Sequence, residues 1–424
     1  MAEPGPRGIL ARGLGRSYGD AAQNAGGQVV DTSALSSVTD LDTDKGTVTA
    51  GAGASLDDLI KYLLPRGFFP AVTPGTRFVT VGGAIAADVH GKNHHRDGGF
   101  CDWVESFELV APGAGPVKVG PRGKSADVFR ATAGGMGLTG VITQARLKLR
   151  AVESAKMRVD TERANDLDEV MSLMTEGDDR YTYSVAWVDT LAGGAQLGRG
   201  VLTRAEHATG DELGARDRRH PLDFLSDLKL SVPPLVPSKL LNRAVALAFN
   251  EAWFRKAPRH ETGRIVPILP YFYPLDAVGD WFNLYGPRGF VQYQFVVPFE
   301  RDDVVREVLT TLAAERCPSF LAVLKRFGPG RGLLSFPIEG WTLALDIPAW
   351  EPGLSALLDR LDRVVIEAGG RVYLAKDSRM RPEFLAQMYP ELDQWREIRE
   401  RLDPEHRMCS DLDRRLGLTS KAKV

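Results

Sequence analysis

The chain has 424 residues, 43% hydrophobic and 25% charged, with a formal net charge of −2. That length asks for two or three cores rather than one, and the composition is that of a globular chain, with no charge excess to call for nucleic acid as a partner. Three cysteines, Cys101, Cys317 and Cys409, are odd in number and far apart, which argues against a disulfide framework or a structural zinc site and favours a reducing compartment.

Residues 1–15 hold no apolar stretch of the signal-peptide kind. No run of about 18 apolar residues predicts a transmembrane helix, and peripheral membrane contact stays open. QVVD (28–31) and GTVTA (46–50) read as short strands. Between them and Pro65 the period changes. Leu56, Leu59, Ile60, Leu63 and Leu64 fall on one helical face, Ser55 is placed to cap it, and Asp58 sits in the first turn. Glycines then cluster at 74–76, 81–87 and 134–140, which predicts a backbone that turns tightly or approaches something closely. A loop-rich α+β domain with no ligand is the plain alternative.

The Pro-rich stretch 232–237 cannot be a regular helix. Residues 239–256 predict an amphipathic helix with Trp253 and Phe254 near its end. It packs on a second domain, or it covers a greasy substrate or touches a membrane. From residue 289 the order is informative. Strands at 289–298, 319–327, 341–348 and 371–375 alternate with helices at 302–317 and 354–370. This β-α-β-β-α-β order is the split βαβ arrangement of ferredoxin-like sheets, so the second domain is expected to be α+β with an antiparallel sheet.

Several runs could carry chemistry. Arg12-Gly13-Leu14-Gly15-Arg16-Ser17-Tyr18-Gly19-Asp20 lacks the third glycine of a dinucleotide fingerprint, because Tyr18 stands there. Its glycine turn still presents backbone N–H groups that suit a pyrophosphate. In the run 79–88, Gly82 and Gly83 could open a helix toward phosphate, or simply allow a tight helix–sheet contact. His90-Gly91-Lys92-Asn93-His94-His95 lacks a helical HxxxH pair and any cysteine. It reads as a polar wall beside a cofactor ring or substrate rather than a metal site. Gln292 and Gln294 share one strand face, and Lys325 and Phe327 share another. They offer amides, an ammonium and an apolar wall to sugar hydroxyls or a phosphate, or else lie on a solvated sheet. Lys376 is either an exposed strand-end lysine or a site lysine.

Taken together, ARGLGRSYGDAAQN (11–24), PGTRFVTVGGAIAADVHGKNHH (74–95), GGMGLTG (134–140), YGPRGFVQYQFVVP (285–298), LKRFGPG (324–330) and YLAKDSR (373–379) resemble the vanillyl-alcohol-oxidase type of FAD enzymes. Within that family they are most similar to the branch that oxidises the ribose 2′-hydroxyl of decaprenylphosphoryl-β-D-ribose to a 2′-keto sugar, the first step of epimerisation to the arabinose used in cell-wall arabinan. The resemblance spans nearly the whole chain. It implies a two-part FAD-binding domain over 1–152, short of the first segment its relatives carry, a substrate domain over 153–370, and a return to the FAD domain over 371–424.

Carried over by position, the resemblance implies FAD contacts at Ala11, Arg12, Gly13, Leu14, Gly15, Arg16, Ser17, Tyr18, Gly19, Asp20, Gly75, Thr80, Val81, Gly82, Gly83, Ala87, Asp88, Val89, His90, Ile142 and Tyr373. Arg16 stands where covalent members carry a flavin-linking histidine, which implies noncovalent FAD. Tyr18, Gly91, Lys92, Gln292, Gln294, Lys325, Phe327 and Lys376 would line the sugar pocket, with Lys376 and His90 as catalytic groups. Ala344 stands where mycobacterial relatives have a cysteine, and the aromatic run 271–273 differs in detail. The implied partners are a polyprenyl-phosphate sugar and an NADH-dependent keto-sugar reductase. The implied location is cytoplasmic or peripheral at the inner membrane, on either face. A soluble alditol or sugar-lactone oxidase of the same fold is the alternative, and a non-catalytic flavin scaffold or metal module is a third reading.

Overall fold

The computed structural model describes residues 5–224, 230–232 and 242–419. The predicted stretch 233–237 and the first residues of the predicted helix, 239–241, lie outside them. Two antiparallel sheets organise the molecule. The smaller runs Val38–Asp42, Thr47–Gly51, Val141–Ala151, Val104–Ala111 and Gly115–Val119 in spatial order, with Phe68–Pro70 paired to the far end of Val141–Ala151. The predicted helix is present as Leu56–Leu63. Ser55 Oγ accepts from Asp58 N at 3.1 Å, and the Asp58 carboxylate accepts from Ser55 N at 2.9 Å. This reciprocal cap satisfies N–H groups that a helix start leaves open. Gly67, at φ 78°, turns the chain into Phe68–Pro70.

The larger sheet has eight strands. At one end stand Arg371–Val372, Phe290–Val297, Gly340–Pro348 and Ala322–Phe327, followed by Tyr183–Val188, Gly200–His207, Lys156–Ala164 and His260–Pro267. The first four, with helices Asp302–Ala314 and Leu354–Glu367, form the expected β-α-β-β-α-β unit. One difference concerns its last strand, which keeps only Arg371 and Val372 in register. The carbonyl of Tyr373 takes the N–H groups of Lys376 and Asp377, each at 3.0 Å, so the chain curls into a turn. Lys376 therefore sits on a turn rather than just after a strand. The two helices cover one face of the sheet. Every residue of Gly340–Pro348 is buried, so the opposite face is covered as well.

The chain's last described segment returns to its beginning. Trp395 Nε1, on helix Leu392–Leu402, donates to the Ala131 carbonyl at 2.8 Å. Ile9, in a strand paired parallel to Gln28–Asp31, bridges to Met408. Arg399 is 1% exposed, and its Nη2 donates to Asp403 Oδ2 at 2.8 Å and to the Met408 carbonyl at 2.9 Å. Helix Arg243–Lys256 is anchored at Ala246 and Asn250, its buried residues, and Asn250 Nδ2 donates to Asp189 Oδ1 at 2.7 Å. Among the described residues no helix is long and apolar enough to cross a membrane.

Candidate active site

A cavity of about 1120 Å³ lies between the face of the large sheet opposite helices Asp302–Ala314 and Leu354–Glu367 and the loops of the first 142 residues. Strand side chains alternate between faces, so every second residue reaches this floor: Val201 and Thr203, Val185 and Trp187, Val323 and Lys325, Ala344 and Asp346, and Gln292. The roof comes from residues 11–18, 73–76 and 89–92, and the turn at 373–376 closes one side. The size exceeds the roughly 300–1,000 Å³ usual for one small ligand.

The glycine loop is built for close approach. A Cβ on Gly13 would stand 2.2 Å from Thr80 Oγ1, and one on Gly19 would stand 1.8 Å from the Asp377 carbonyl oxygen. Tyr18 N donates to the Ala375 carbonyl at 3.0 Å. Asp20 receives Arg415 at 2.7 and 2.8 Å, and Arg415 also holds Asp377 at 2.8 Å. Thus the C-terminal segment clamps the loop. Among the described residues, the backbone N–H groups of Leu14, Gly15, Arg16 and Ser17 meet no acceptor. That open row suits an anion.

The predicted phosphate-facing helix start is different. Thr80 caps helix Val81–Ala86 by accepting from Gly83 N at 3.2 Å, while Val81 N and Gly82 N donate to the Ala54 and Ala52 carbonyls at 2.9 and 2.8 Å. A Cβ on Gly82 would stand 3.0 Å from Ala52 Cβ. The small residues there serve a tight helix–sheet contact, the plainer of the two expectations.

Three lysines converge on the cavity. Lys92 Nζ donates to the Tyr271 carbonyl and lies 4.0 Å from the Tyr271 ring centroid. Burial lowers its pKa to about 7. Lys325 is lowered to about 7 by burial and by the charges of Lys376 and Lys92. Lys376 is lowered to about 8 by burial, with Asp346 pulling the other way. Asp346 is raised to about 6 by burial, against the hydrogen bond from Gln292 Nε2 and the charge of Lys376. Apolar surroundings disfavour both charge types, and an anionic ligand among these lysines would favour their charged forms.

Most residues expected at the site do line the cavity, including Ala11 to Tyr18, Gly75, Thr80, Gly82, Gly83, Ala87, Val89 to Lys92, Ile142, Gln292, Lys325, Tyr373 and Lys376. Others stand behind the wall. Gly19 and Asp20 bind the C-terminal clamp. Val81 is buried against Ala54. Asp88, fully buried at φ 40°, accepts from Ser335 Oγ and from Cys101 N at 3.1 Å. Gln294 Nε2 lies 3.1 Å from His90 Nε2, and the Phe327 ring centroid lies 4.7 Å from that of His90. These two contact His90 and do not themselves line the cavity. Asp346 is the residue that sequence reading missed. Its signal was a lone acid in an otherwise apolar strand, WTLALDIP.

The mouth is greasy. Phe249 and Trp253, stacked at 6.0 Å, and Val278 and Phe282 line it while remaining exposed to solvent.

Comparison with known proteins fits this geometry. The FAD binding domain family matches residues 6–120, and the D-arabinono-1,4-lactone oxidase family matches residues 349–416. The chain is 42% identical over 419 residues to the decaprenylphosphoryl-beta-D-ribose oxidase of Mycolicibacterium smegmatis, covering 98% of this chain and 91% of that one. The chain belongs to that oxidase family. An uncharacterized protein of Streptomyces coelicolor is 43% identical over 86% of this chain and all of its own length. Cytokinin dehydrogenase 10 of Oryza sativa subsp. japonica is 32% identical over 38% of this chain and 30% of its own. As a family member the chain is an FAD-dependent oxidoreductase of α+β fold. The residues present fit the cofactor: open N–H groups for a pyrophosphate, a cavity of about 1120 Å³, and three lysines in its lining.

Proposed function

We propose that the protein oxidises the ribose 2′-hydroxyl of decaprenylphosphoryl-β-D-ribose to the 2′-keto sugar, the first half of an epimerisation that a separate NADH-dependent reductase completes. The observation that carries this reading is one cavity lined by three half-buried lysines and by exposed aromatic side chains. A sugar phosphate suits the first feature. A long isoprenoid suits the second, and the same rim would rest the protein on a membrane surface without a spanning helix. Bound FAD supplies the acceptor for the hydride that leaves the carbinol carbon. Residues 11–18 would hold its pyrophosphate, and Lys376 would stand by its ring. Lys92, Lys325 and Gln292 would bind the phosphorylated sugar, with Gln294 and Phe327 fixing His90. We also take residues 1–152 and 371–424 as one FAD-binding unit around a substrate unit at 153–370.

The lactone-oxidase match favours a second reading, oxidation of a soluble alditol or sugar lactone. That match covers residues 349–416, which begin after Asp346 and include only the 373–376 turn of the cavity wall. Anaerobic addition of a polyprenyl-phosphoryl ribose should bleach the visible flavin band. A band that persists with this lipid but bleaches with a free polyol would overturn the lipid-linked reading in favour of the second.

Arg16 on the loop supplies no imidazole for a flavin bond. Acid precipitation should therefore leave the yellow colour in the supernatant. Colour retained by the pellet would show a covalent link.

A further inference from the structure

We propose that Asp346 takes the substrate's hydroxyl proton, and that His90 is a hydrogen-bond donor at this site rather than the base. The inference rests on the sugar-oxidase reading above.

Hydrogen bookkeeping fixes His90. Thr342 Oγ1 donates to the Phe295 carbonyl at 2.8 Å, which spends its hydrogen. Its 3.0 Å contact with Gln294 Nε2 therefore has Thr342 accepting. The opposite amide orientation would set two acceptors against each other. With Nε2 so placed, its second hydrogen points to His90 Nε2 at 3.1 Å, and His90 accepts there. A neutral imidazole that accepts at Nε2 carries its hydrogen on Nδ1. Nδ1 is buried with no protein partner. Burial first, then the charges of Lys325 and Lys376, keep the ring neutral. Its accepting nitrogen is used, so it can give a hydrogen bond to a ligand but has no lone pair left for a proton.

The lysines are also poor acceptors once substrate is in place. An anionic sugar phosphate among them favours their charged form, and an ammonium has no lone pair.

Three carboxylates border the cavity, of which Asp280 stands exposed to solvent next to Trp281 and Phe282. Asp276 is engaged by Arg77, whose backbone N donates at 2.9 Å and whose guanidinium lies at 3.7 Å. Asp346 is different. Gln292 Nε2 occupies Oδ1, while Oδ2 is buried and unpartnered. The titratable groups that face Asp346 are Lys376, Tyr18 and Tyr285. Lys376 favours its ionised form, and burial raises its proton affinity toward the working range of a base. The O–H proton moves to Asp346 Oδ2 as the C–H electron pair leaves with its hydrogen for the bound flavin. The C–O bond becomes C=O, and the new carboxylic acid later returns its proton to solvent.

The test is the pH dependence of anaerobic flavin reduction by polyprenyl-phosphoryl ribose, with FAD affinity read separately by fluorescence. The wild type should lose rate as pH falls through about 6. Asp346→Asn should bind FAD as the wild type does, reduce it about 10²–10⁴-fold more slowly, and lose that acid limb. Formate should restore rate to Asp346→Ala. Infrared titration should show a carboxylic-acid carbonyl band that grows below about pH 6 in the wild type and is missing in Asp346→Asn. An Asn variant that reduces flavin within a few-fold of wild type, or keeps the acid limb, would overturn the assignment while leaving the oxidase reading intact. A wild type that the lipid-linked ribose does not reduce would overturn the oxidase reading itself.

Discussion

Lys376→Met should slow flavin reduction by roughly 10²–10³-fold, the loss typical of removing one preorganised electrostatic group, with FAD still bound. Methionine keeps the apolar stem and fills the same space, so the clamp between Tyr18 N and the Ala375 carbonyl should stand. What disappears is a positive charge in a water-poor cavity, where its worth is highest. The sign of the pH effect follows from the shift. Lys376 is lowered to about 8, so its ammonium is present below that value and lost above it. Wild-type reduction should fall on the alkaline side near pH 8, and the methionine variant should lack that limb. Because Asp346 and Lys376 interact, the two limbs belong to the pair. Stopped-flow reduction across pH reads both. A variant that turns over at the wild-type rate removes Lys376 from the mechanism.

Arg399→Met should cost about 3–5 kcal/mol of stability, the range seen when one partner of a buried ion pair is removed. Arg399 and Asp403 are 1% and 0% exposed, and the guanidinium also holds the Met408 carbonyl at 2.9 Å. Asp403 in turn accepts from the backbone of Arg407 and Met408 at 2.9 and 2.7 Å. Losing the cation leaves a buried carboxylate and loosens the turn that carries the Ile9–Met408 bridge. Denaturant melts should show the loss, and FAD should bind more weakly. Adding Asp403→Asn should recover part of the stability. A single variant as stable as wild type would show that the turn holds without this pair.

The part of the large sheet after residue 289 was readable in the sequence because its hydrophobic period switches cleanly between two and 3.6. The helix at 56–63 was readable because Ser55 and Asp58 mark its start. The four strands of that sheet between 156 and 267 were not named from sequence, because the apolar face begun by Met157 and Val159, between Arg158, Asp160 and Glu162, continues as Thr161 and Arg163. Shared strand faces were legible, but depth was not. Gln292 and Gln294 do share a face, yet only Gln292 reaches the cavity, because His90 from a distant loop sits over Gln294. Asp346 escaped notice because a single acid in an apolar strand says nothing of what stands opposite. Only the register Gln292–Asp346 reveals that.

The bridge from Ile9 to Met408 sets an order of events during synthesis. At about 5–20 residues per second, roughly 20–80 seconds separate the emergence of the glycine loop from that of its clamp. Until then the nascent chain carries half a cradle and no means of retaining its cofactor. Colour therefore reports a finished polypeptide: a ribosome stalled in the last helices, or a protease trimming them, should yield a colourless product whose large sheet is otherwise well folded.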